Sequence, residues 1–274
     1  MPSDLHMHTS FSDGRLTPEE LIAEAKKAGL HYIALTDHDT VDGISHLYES
    51  GLFPTKGIHI IPGIEFSAHH PLHEVHILGY GIDIFCTSLL DKLNEVTDAR
   101  WSRFSEIVEK LNGLGYAITE ADVLAIAGVS KSISRSHIGR VLVKKGYFDS
   151  VRSAFKELLS KGQPAYVPHY RLEVEEVLSL ILAAEGRAVL AHPKLVYDEE
   201  LVERICQMGI DGIEVFYPQH DEDDTAHYLE LAKKYGLLPA GGSDFHGFST
   251  RYPAEIGVFT IPDEYAVPFY RAEN

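Results

Sequence analysis

One order of elements recurs along the chain: an amphipathic helix, a glycine, a short apolar strand and then a polar cluster. It appears first in residues 17–39, where Thr17 and Pro18 mark the start of a helix that stops at Gly29. It recurs in residues 177–193, 201–218 and 229–246. Alternating helices and short apolar strands predict an α/β protein with a parallel sheet that helices cover.

The polar clusters indicate how that sheet is shaped. Each cluster follows a strand, and the carboxyl ends of parallel strands are the edge where α/β proteins build their sites. Side chains from about six strand ends can converge on one point in a closed or nearly closed barrel, whereas an open sheet spreads them along a line. The glycine-rich phosphate motifs of open nucleotide-binding sheets are absent from the sequence. We therefore predict a barrel.

Residues from about 88 to 165 break the recurring order. They predict helices at 89–111, 120–127, 137–145 and 151–161, with no strand of comparable strength between them. We predict a barrel formed by residues 1–87 and 166–274, and a helical insertion, residues 88–165, that caps or narrows the site. A helical extension that packs on the side of the barrel is the alternative.

Composition excludes several classes of protein. The 274 residues carry a formal net charge of −17, which argues against wrapping long nucleic acid. Neither an apolar stretch of about 18 residues nor a secretory leader at Met1 is visible, so we expect a cytoplasmic protein without a membrane partner. Cys86 and Cys206 are isolated, which makes a disulfide framework or a thiolate zinc site improbable. No obligate protein partner is indicated.

The strand ends carry imidazoles and carboxylates, drawn from a chain with sixteen histidines. His6 and His8 are two residues apart and so share one face of an extended segment, and Asp244 and His246 repeat that spacing. Such donors suit divalent first-row metals, and a carboxylate such as Glu65 can bridge two ions. Each motif alone is weak evidence, but their joint placement predicts a polynuclear metal site. The candidates in chain order are His6, His8, Asp13, Asp37, His38, Asp39, Glu65, His76, His192, Asp244 and His246.

Six motifs in this order resemble the PHP family, the polymerase and histidinol phosphatase domain. They are DLHMHTS at 4–10, SDG at 12–14, TDHD at 36–39, PGIE at 62–65, AHP at 191–193 and GSDFH at 242–246. The resemblance implies a distorted (β/α)7-type barrel that binds three metal ions and hydrolyses phosphoesters. Glu65, His192 and Asp244 would then serve the catalytic centre, where an activated hydroxide attacks phosphorus.

The resemblance also implies which side chains hold each ion. The first ion would be bound by His6, His8, Glu65 and Asp244, the second by Glu65, His76 and His192, and the third by Asp13, His38 and His246. Some members have histidine where this chain has Asp13, which leaves manganese, iron and zinc open, with magnesium as a further candidate. Asp4, Asp37 and Asp39 are expected to orient imidazole N–H groups, and Glu214 either does the same or forms a salt bridge at the barrel mouth.

A basic cluster at residues 134–140 suggests how substrate is recognised. Arg135 and Arg140 are predicted to hold a phosphate that is not cleaved, with His137 as a further contact, although a solvated helix N-terminus is the simpler alternative. This segment and residues 161–168 resemble the branch of nucleoside 3′,5′-bisphosphate phosphatases and RNase AM-like exonucleases. His220 is expected to line the same pocket. The acidic chain restricts any nucleic-acid substrate to short pieces.

Three functions remain open from the sequence. The first is a metal-dependent phosphoesterase that acts on a nucleotide with two phosphates or on short 5′-phosphorylated RNA. The second is a histidinol-phosphate phosphatase, which the long insertion with its arginines argues against. The third is a non-catalytic domain that binds a metal or a partner, which the complete set of ligand-type residues argues against.

Overall fold

The computed structural model describes residues 1–170 and 172–271. One sheet of eight strands has the order β7-β6-β5-β4-β3-β2-β1-β8. The strands are β1 (Pro2–Met7), β2 (Tyr32–Leu35), β3 (His59–His69), β4 (Glu74–Tyr80), β5 (Arg187–Leu190), β6 (Gly212–Phe216), β7 (Leu238–Gly241) and β8 (Ile261–Pro262). The helices are α1 (Pro18–Lys27), α2 (Asp42–Glu49), α3 (Thr87–Gly113), α4 (Glu120–Ala127), α5 (Arg135–Lys144), α6 (Val151–Ala154), α7 (Val174–Ala183), α8 (Glu199–Cys206) and α9 (Glu222–Tyr235).

The sheet curls into a nearly closed barrel because the segment that follows β7 joins β1. Met7 forms a parallel bridge with Phe245. The amide of His8 donates to the carbonyl of Phe245 at 2.9 Å, and the amide of Phe245 donates to the carbonyl of His6 at 3.2 Å. The distorted α/β barrel is thus confirmed, and the segments around His8 and Phe245 lie side by side at its carboxyl edge.

The sheet is not parallel throughout, which corrects the expectation from sequence. β4 runs antiparallel to both β3 and β5, and β8 runs antiparallel to β1. Residues 70–73 are too few for the crossover that a parallel neighbour of β3 would need, so β3 and β4 form a hairpin. Consequently His76 lies near the start of β4, at the same edge as the carboxyl ends of the parallel strands.

Local signals in the sequence explain where the helices begin and end. Thr17 caps α1 by accepting a hydrogen bond from the amide of Glu20, whose side chain accepts one from the amide of Thr17. Gly236 ends α9 in the left-handed conformation with φ 66°, which costs glycine little. The helix predicted at 151–161 is shorter than expected, since α6 ends at Ala154 and a π-helical turn, Phe155–Leu159, follows it.

The helices from α3 to α6 share an apolar cluster of their own. Phe104, Ile107, Leu111, Ile138 and Leu142 are among its fully buried members. The first turns of α3 instead pack into the barrel core, through side chains such as those of Leu89, Leu93 and Val96. The long helix α3 therefore connects the two cores, while the boundary at residue 88 stays a prediction. None of the described helices has the length and apolar character needed to cross a membrane.

Candidate active site

A cavity of about 420 Å³ opens at the carboxyl edge of the barrel. We call the strand-end residues that were predicted from sequence the floor. They are His6, His8, Asp13, Asp37, His38, Asp39, Glu65, His76, His192, Asp244 and His246. Three arginines of the helices between β4 and β5 form what we call the wall: Arg100, Arg103 and Arg135. The candidates come together as predicted, although Glu65 and His76 lie within β3 and β4 rather than after them.

Four donors of the floor converge around one point. The Nε2 atoms of His6 and His8 lie 3.3 and 3.2 Å from Oε2 of Glu65. The same atoms lie 3.7 and 3.2 Å from Oδ1 of Asp244. These four residues are buried and could hold one metal ion between them. They coincide with the first ligand set that the family resemblance implies.

A second group of donors surrounds Asp13. Its Oδ1 lies 3.2 Å from Nε2 of His246 and 3.9 Å from Nε2 of His38. The ring of His8 packs against both imidazoles, at 4.0 Å from His246 and 4.5 Å from His38 between ring centroids. The group able to hold an ion therefore comprises Asp13, His38 and His246, as the resemblance implies, and also His8.

Glu65 links these groups to a third. Its Oε1 lies 2.7 Å from Nδ1 of His76 and 3.0 Å from Nε2 of His192, and its Oε2 lies 3.0 Å from Nδ1 of His38. The compact donor group here is His38, Glu65 and His76. His192 contacts the same carboxylate oxygen as His76, and their ring centroids are 5.1 Å apart, but His192 does not belong to the compact group.

Metal ions fit this floor because its inward atoms lack partners within the fold. Among the described residues, buried atoms without a hydrogen-bond partner include Nε2 of His6, both ring nitrogens of His8, Oδ1 of Asp13, Nδ1 of His38, Oε2 of Glu65, Nδ1 of His192 and Nε2 of His246. Leaving a buried polar atom unpaired is costly, and so many such atoms rarely face one cavity. Imidazole and carboxylate donors in this arrangement match divalent first-row ions.

The pKa values of the floor also indicate a place for positive charge. Burial opposes ionisation of Glu65, but the histidines around it hold its pKa well below the usual range. Burial opposes protonation of His8, yet the nearby carboxylates of Asp244 and Glu65 raise its pKa to about 9. Burial lowers the pKa of His38 to about 3. The carboxyl groups of Asp13, Glu65 and Asp244, whose pKa values are all held low, are thus charged at neutral pH, while the crowded imidazoles cannot all carry protons.

Glu214 supports the floor from below. Its Oε1 lies 3.0 Å from Nδ1 of His6, and its Oε2 accepts the backbone amide of His192 at 2.6 Å. Glu214 is fully buried on β6. A carboxylate on Nδ1 directs Nε2 of the same ring toward an ion, so the geometry matches the imidazole-orienting role rather than a salt bridge at the mouth.

The other three carboxylates have different partners from those expected. Asp4 accepts the backbone amides of His6 and Ser243, and burial raises its pKa to about 7 despite these hydrogen bonds. Asp37 accepts the amide and hydroxyl of Thr9. Asp39 accepts the amide of Ser67 and pairs with Arg100. They fix the loops that carry the imidazoles and do not contact the rings, which corrects the sequence interpretation.

Three residues of the site have left-handed backbone conformations. Asp39, His192 and Asp244 have φ values of 49°, 27° and 52°. Such conformations are unfavourable for residues with a Cβ atom and persist where the surroundings enforce them. They turn the chain sharply after three strands, and the side chains of His192 and Asp244 line the cavity.

Two of the three wall arginines, Arg100 and Arg103, were missed by the sequence analysis, which named only Arg135. Arg103 donates to the carbonyl of Val167 through Nε at 2.8 Å, but its buried Nη2 has no partner among the described residues. Burial beside Arg135 and Arg100 lowers the pKa of Arg103 to about 9. Arg100 and Arg103 are three residues apart in α3, a spacing that places them on one helix face. That spacing is the signal that could have revealed them.

Of the four predicted substrate contacts, only Arg135 lines the cavity. Its guanidinium donates to Glu74 at 2.6 Å. The Nδ1 atom of His137 instead accepts the amide of Ser134 and caps α5, and Arg140 stacks on Phe248. His220 donates from Nδ1 to the carbonyl of Val215.

Two further residues at the cavity escaped the sequence analysis. The hydroxyl of Tyr217 donates to Oδ2 of Asp244 at 3.0 Å, and Arg251 pairs with the same oxygen. They hold the outer oxygen of Asp244, so that Oδ1 faces His8. Their sequence contexts, a Tyr-Pro turn and a loop, carry no specific signal.

A larger cavity, of about 630 Å³, lies at the opposite end of the barrel. Side chains such as those of His31, Phe53, Ile58 and His59 line it. It contains none of the compact donor groups found among the described residues. Size therefore does not identify the functional cavity here, whereas donor chemistry does.

An α/β barrel with such a donor cluster at its carboxyl edge defines a barrel protein able to bind metal. The family model of the PHP domain matches residues 4–174. The 3′,5′-nucleoside bisphosphate phosphatase of Chromobacterium violaceum is 34% identical over 249 residues, which cover 89% of this chain and 86% of that protein. The chain belongs to the PHP domain family, which confirms the resemblance of its motifs.

Two further comparisons agree with this membership. The 5′-3′ exoribonuclease Rnm of Escherichia coli is 34% identical over 250 residues, which cover 89% of this chain and 84% of that protein. The crystal structure of a proposed metal-dependent phosphoesterase from Bifidobacterium adolescentis matches with a TM-score of 0.87 and 29% identity. That match covers 97% of this chain and 94% of the other.

Proposed function

We propose that the protein is a metal-dependent phosphoesterase that hydrolyses a phosphate ester of a nucleotide. The observation that carries this proposal is the set of buried, unpartnered imidazole and carboxylate atoms that face one cavity. The names of the relatives support the reaction class, since they include a nucleoside bisphosphate phosphatase and an exoribonuclease. A non-catalytic domain would tolerate the loss of some of these donors, whereas all nine ligands that the resemblance implies are present.

The floor would hold the ions, and we propose three of them. His6, His8, Glu65 and Asp244 would hold the first, Glu65 with His76 and His192 the second, and Asp13 with His38 and His246 the third. Divalent ions at these places would supply a water nucleophile at neutral pH and neutralise phosphoryl oxygens. We favour manganese, iron or zinc because of the many imidazoles, with magnesium as the alternative at Asp13.

The chain itself contributes orientation. Glu214 holds the ring of His6 and the backbone of His192, so both imidazoles keep fixed directions. Tyr217 and Arg251 occupy the outer oxygen of Asp244, which leaves its inner oxygen for an ion. The burial of the floor excludes bulk water and strengthens each electrostatic contact there.

The wall would select the substrate by a second phosphate. Nη2 of Arg103 is a buried donor without a partner in the part of the chain that the structure describes, and it belongs to a side chain that lines the same cavity as the floor. Arg135 lines the cavity nearby, with an ion pair to Glu74. A guanidinium suits a phosphate that remains uncleaved. We therefore propose a nucleoside 3′,5′-bisphosphate or short 5′-phosphorylated RNA as substrate.

An activity screen on metal-reconstituted protein tests this function. Adenosine 3′,5′-bisphosphate, 5′-phosphorylated RNA dinucleotides and histidinol phosphate are compared under each divalent metal. We expect the first two to be hydrolysed with much higher kcat/KM than the third. A higher kcat/KM for histidinol phosphate would show that the protein is a histidinol-phosphate phosphatase instead. Inactivity on every phosphoester with every metal would refute the proposal.

The wall is tested by the variant Arg103→Ala. Losing a charged hydrogen bond is worth about 1.5–3 kcal/mol, so the ratio of kcat/KM for the bisphosphate over that for an aryl phosphate should fall about 10- to 100-fold. The exposed Arg152→Ala is the matched control and should leave the ratio unchanged. An equal loss on both substrates would remove the second-phosphate role of Arg103.

A further inference from the structure

An exposed tyrosine stands at the mouth of the active-site cavity. Tyr197 lines this cavity with a side chain that is 81% exposed. Within the described residues, its side chain makes no hydrogen bond, ion pair or ring contact. Packing of the fold therefore does not account for a large aromatic ring at this position.

The backbone of Tyr197 is held in an unfavourable conformation. Its φ and ψ angles of 56° and 24° lie in the left-handed region, where glycine would be the ordinary choice. Its amide donates to the carbonyl of Lys194 at 3.3 Å and closes the short turn Pro193–Val196. A strained non-glycine residue at a cavity points to a role for its side chain.

The turn gives Tyr197 a rigid support. It begins at His192, whose ring contacts Glu65 and whose amide is held by Glu214. Val196, next to Tyr197, is buried in the barrel core. The ring at 197 is thus attached to a segment that is fixed on one side by the floor and on the other by the core.

The surroundings of Tyr197 suit a flat aromatic ligand. Leu195 of the same turn and Phe155 beyond α6 also line the cavity. Gln219 lines it too and donates from Nε2 to the hydroxyl of Tyr217 at 3.3 Å, so its amide oxygen remains as an acceptor for a polar ring edge. Aromatic side chains stack with any nucleobase, since every base has a π-face.

We propose that Tyr197 forms a stacking platform for the nucleobase of the substrate, with little preference for one base. The proposal rests on the phosphoesterase function proposed above. In this proposal the wall and the floor bind the phosphate groups of the substrate, and the turn after β5 binds its base. A phosphorylated sugar without a base would leave Tyr197 unused.

The test compares ligands with and without a base. The ratio of kcat/KM for adenosine 5′-monophosphate over ribose 5-phosphate is measured with metal-loaded protein, and the ratio of their dissociation constants by calorimetry. Stacking of one base corresponds to roughly 5- to 150-fold in affinity. Tyr197→Ala should reduce the preference for the nucleotide about tenfold, and Tyr197→Phe should restore it. Phe85→Ala, at another exposed aromatic residue, is the control.

A glycine variant adds an independent readout. Tyr197→Gly should lose the preference as Tyr197→Ala does, but its melting temperature should lie above that of the alanine variant because glycine accepts the left-handed conformation. An unchanged nucleotide preference in both variants would overturn the platform. Wild-type protein that hydrolyses no phosphoester would refute the proposed function instead, and the calorimetric ratio would still decide whether Tyr197 binds a base.

Discussion

The floor and the wall of the cavity carry opposite charge and are built in different ways. The floor takes its donors from strands and strand ends, and the inward oxygens of Asp13, Glu65 and Asp244 face imidazoles. The wall takes its guanidiniums from helices, and two of the three, Arg100 and Arg135, are already paired with Asp39 and Glu74. The floor thus lacks cations, and the wall at Arg103 lacks an anion.

This difference assigns separate tasks to the two regions. A floor of charged carboxylates would repel a phosphate ester unless cations lay between them. A wall with a buried, unpaired guanidinium nitrogen attracts phosphate without any cation. We therefore expect changes in the floor to affect bond cleavage on every substrate, and changes in the wall to affect the choice among substrates.

The largest expected effect is at the center of the floor. Glu65→Gln removes the charge that two of the three donor groups share, so we expect hydrolysis to fall by about 10³-fold or more on every phosphoester. Bound metal, measured by elemental analysis, should fall with it. The exposed Glu230→Gln is the control. A Glu65→Gln protein that kept both metal and activity would disprove the bridging position of this carboxylate.

A smaller effect is expected beneath the floor. In Glu214→Gln the side-chain amide can donate a hydrogen bond to Nδ1 of His6. This favours the imidazole tautomer with the proton on Nε2, and that nitrogen then cannot bind a metal ion. Metal affinity, measured by titration of metal-free protein, should weaken about 10- to 100-fold. The exposed Glu200→Gln should bind as the wild type does. Equal affinities for the Glu214 variant and the wild type would show that the carboxylate does not orient His6.

The third prediction concerns the buried pair that joins the two regions. Arg100→Leu leaves Asp39 buried without its cation, so the free energy of unfolding in urea should drop by about 3–5 kcal/mol near neutral pH. The double variant Asp39→Asn with Arg100→Leu should recover much of this loss. If the single and double variants were equally unstable, the pair would not be the source of the effect.

The same pair predicts a smaller dependence on pH. Burial opposes ionisation of Asp39, but Arg100 holds its pKa below the usual range. A lowered folded-state pKa contributes stability above the unfolded pKa of about 3.9, and this contribution disappears as the pH falls through the folded pKa. The difference in unfolding free energy between wild type and Arg100→Leu should therefore shrink below about pH 4. A difference that stayed constant down to pH 2 would contradict this assignment.

The floor could be predicted from sequence because its signals are local. His6 and His8, like Asp244 and His246, share a face through the period of two in extended chain, and strand ends meet at one edge. The direction of β4 was missed, because an apolar strand has the same pattern in both directions. The signal that reveals its antiparallel direction is the short link at residues 70–73. Asp4 was misassigned because sequence shows which residues are neighbours and not which of their atoms bond.

The wall was harder to predict because only the packing of the helices brings its arginines to the cavity. Arg100 and Arg103 look like the solvated face of a helix until α3 lies against the barrel and buries them. The basic cluster at 134–140 was visible, but capping of α5 engages His137, and Phe248 covers the guanidinium of Arg140. These side chains therefore make hydrogen-bonding and stacking contacts within the fold, although their charge alone suggested that they bind a ligand.

The seam between β1 and the segment after β7 has a consequence for how the protein matures. His8 and Asp244 belong to one donor group, yet they lie near opposite ends of the chain and meet only through the bridge between Met7 and Phe245. A growing chain therefore cannot complete this group until residue 244 has been added, and contacts so distant in sequence form late in folding. Binding of an ion by this group would therefore report that the barrel has closed along this seam.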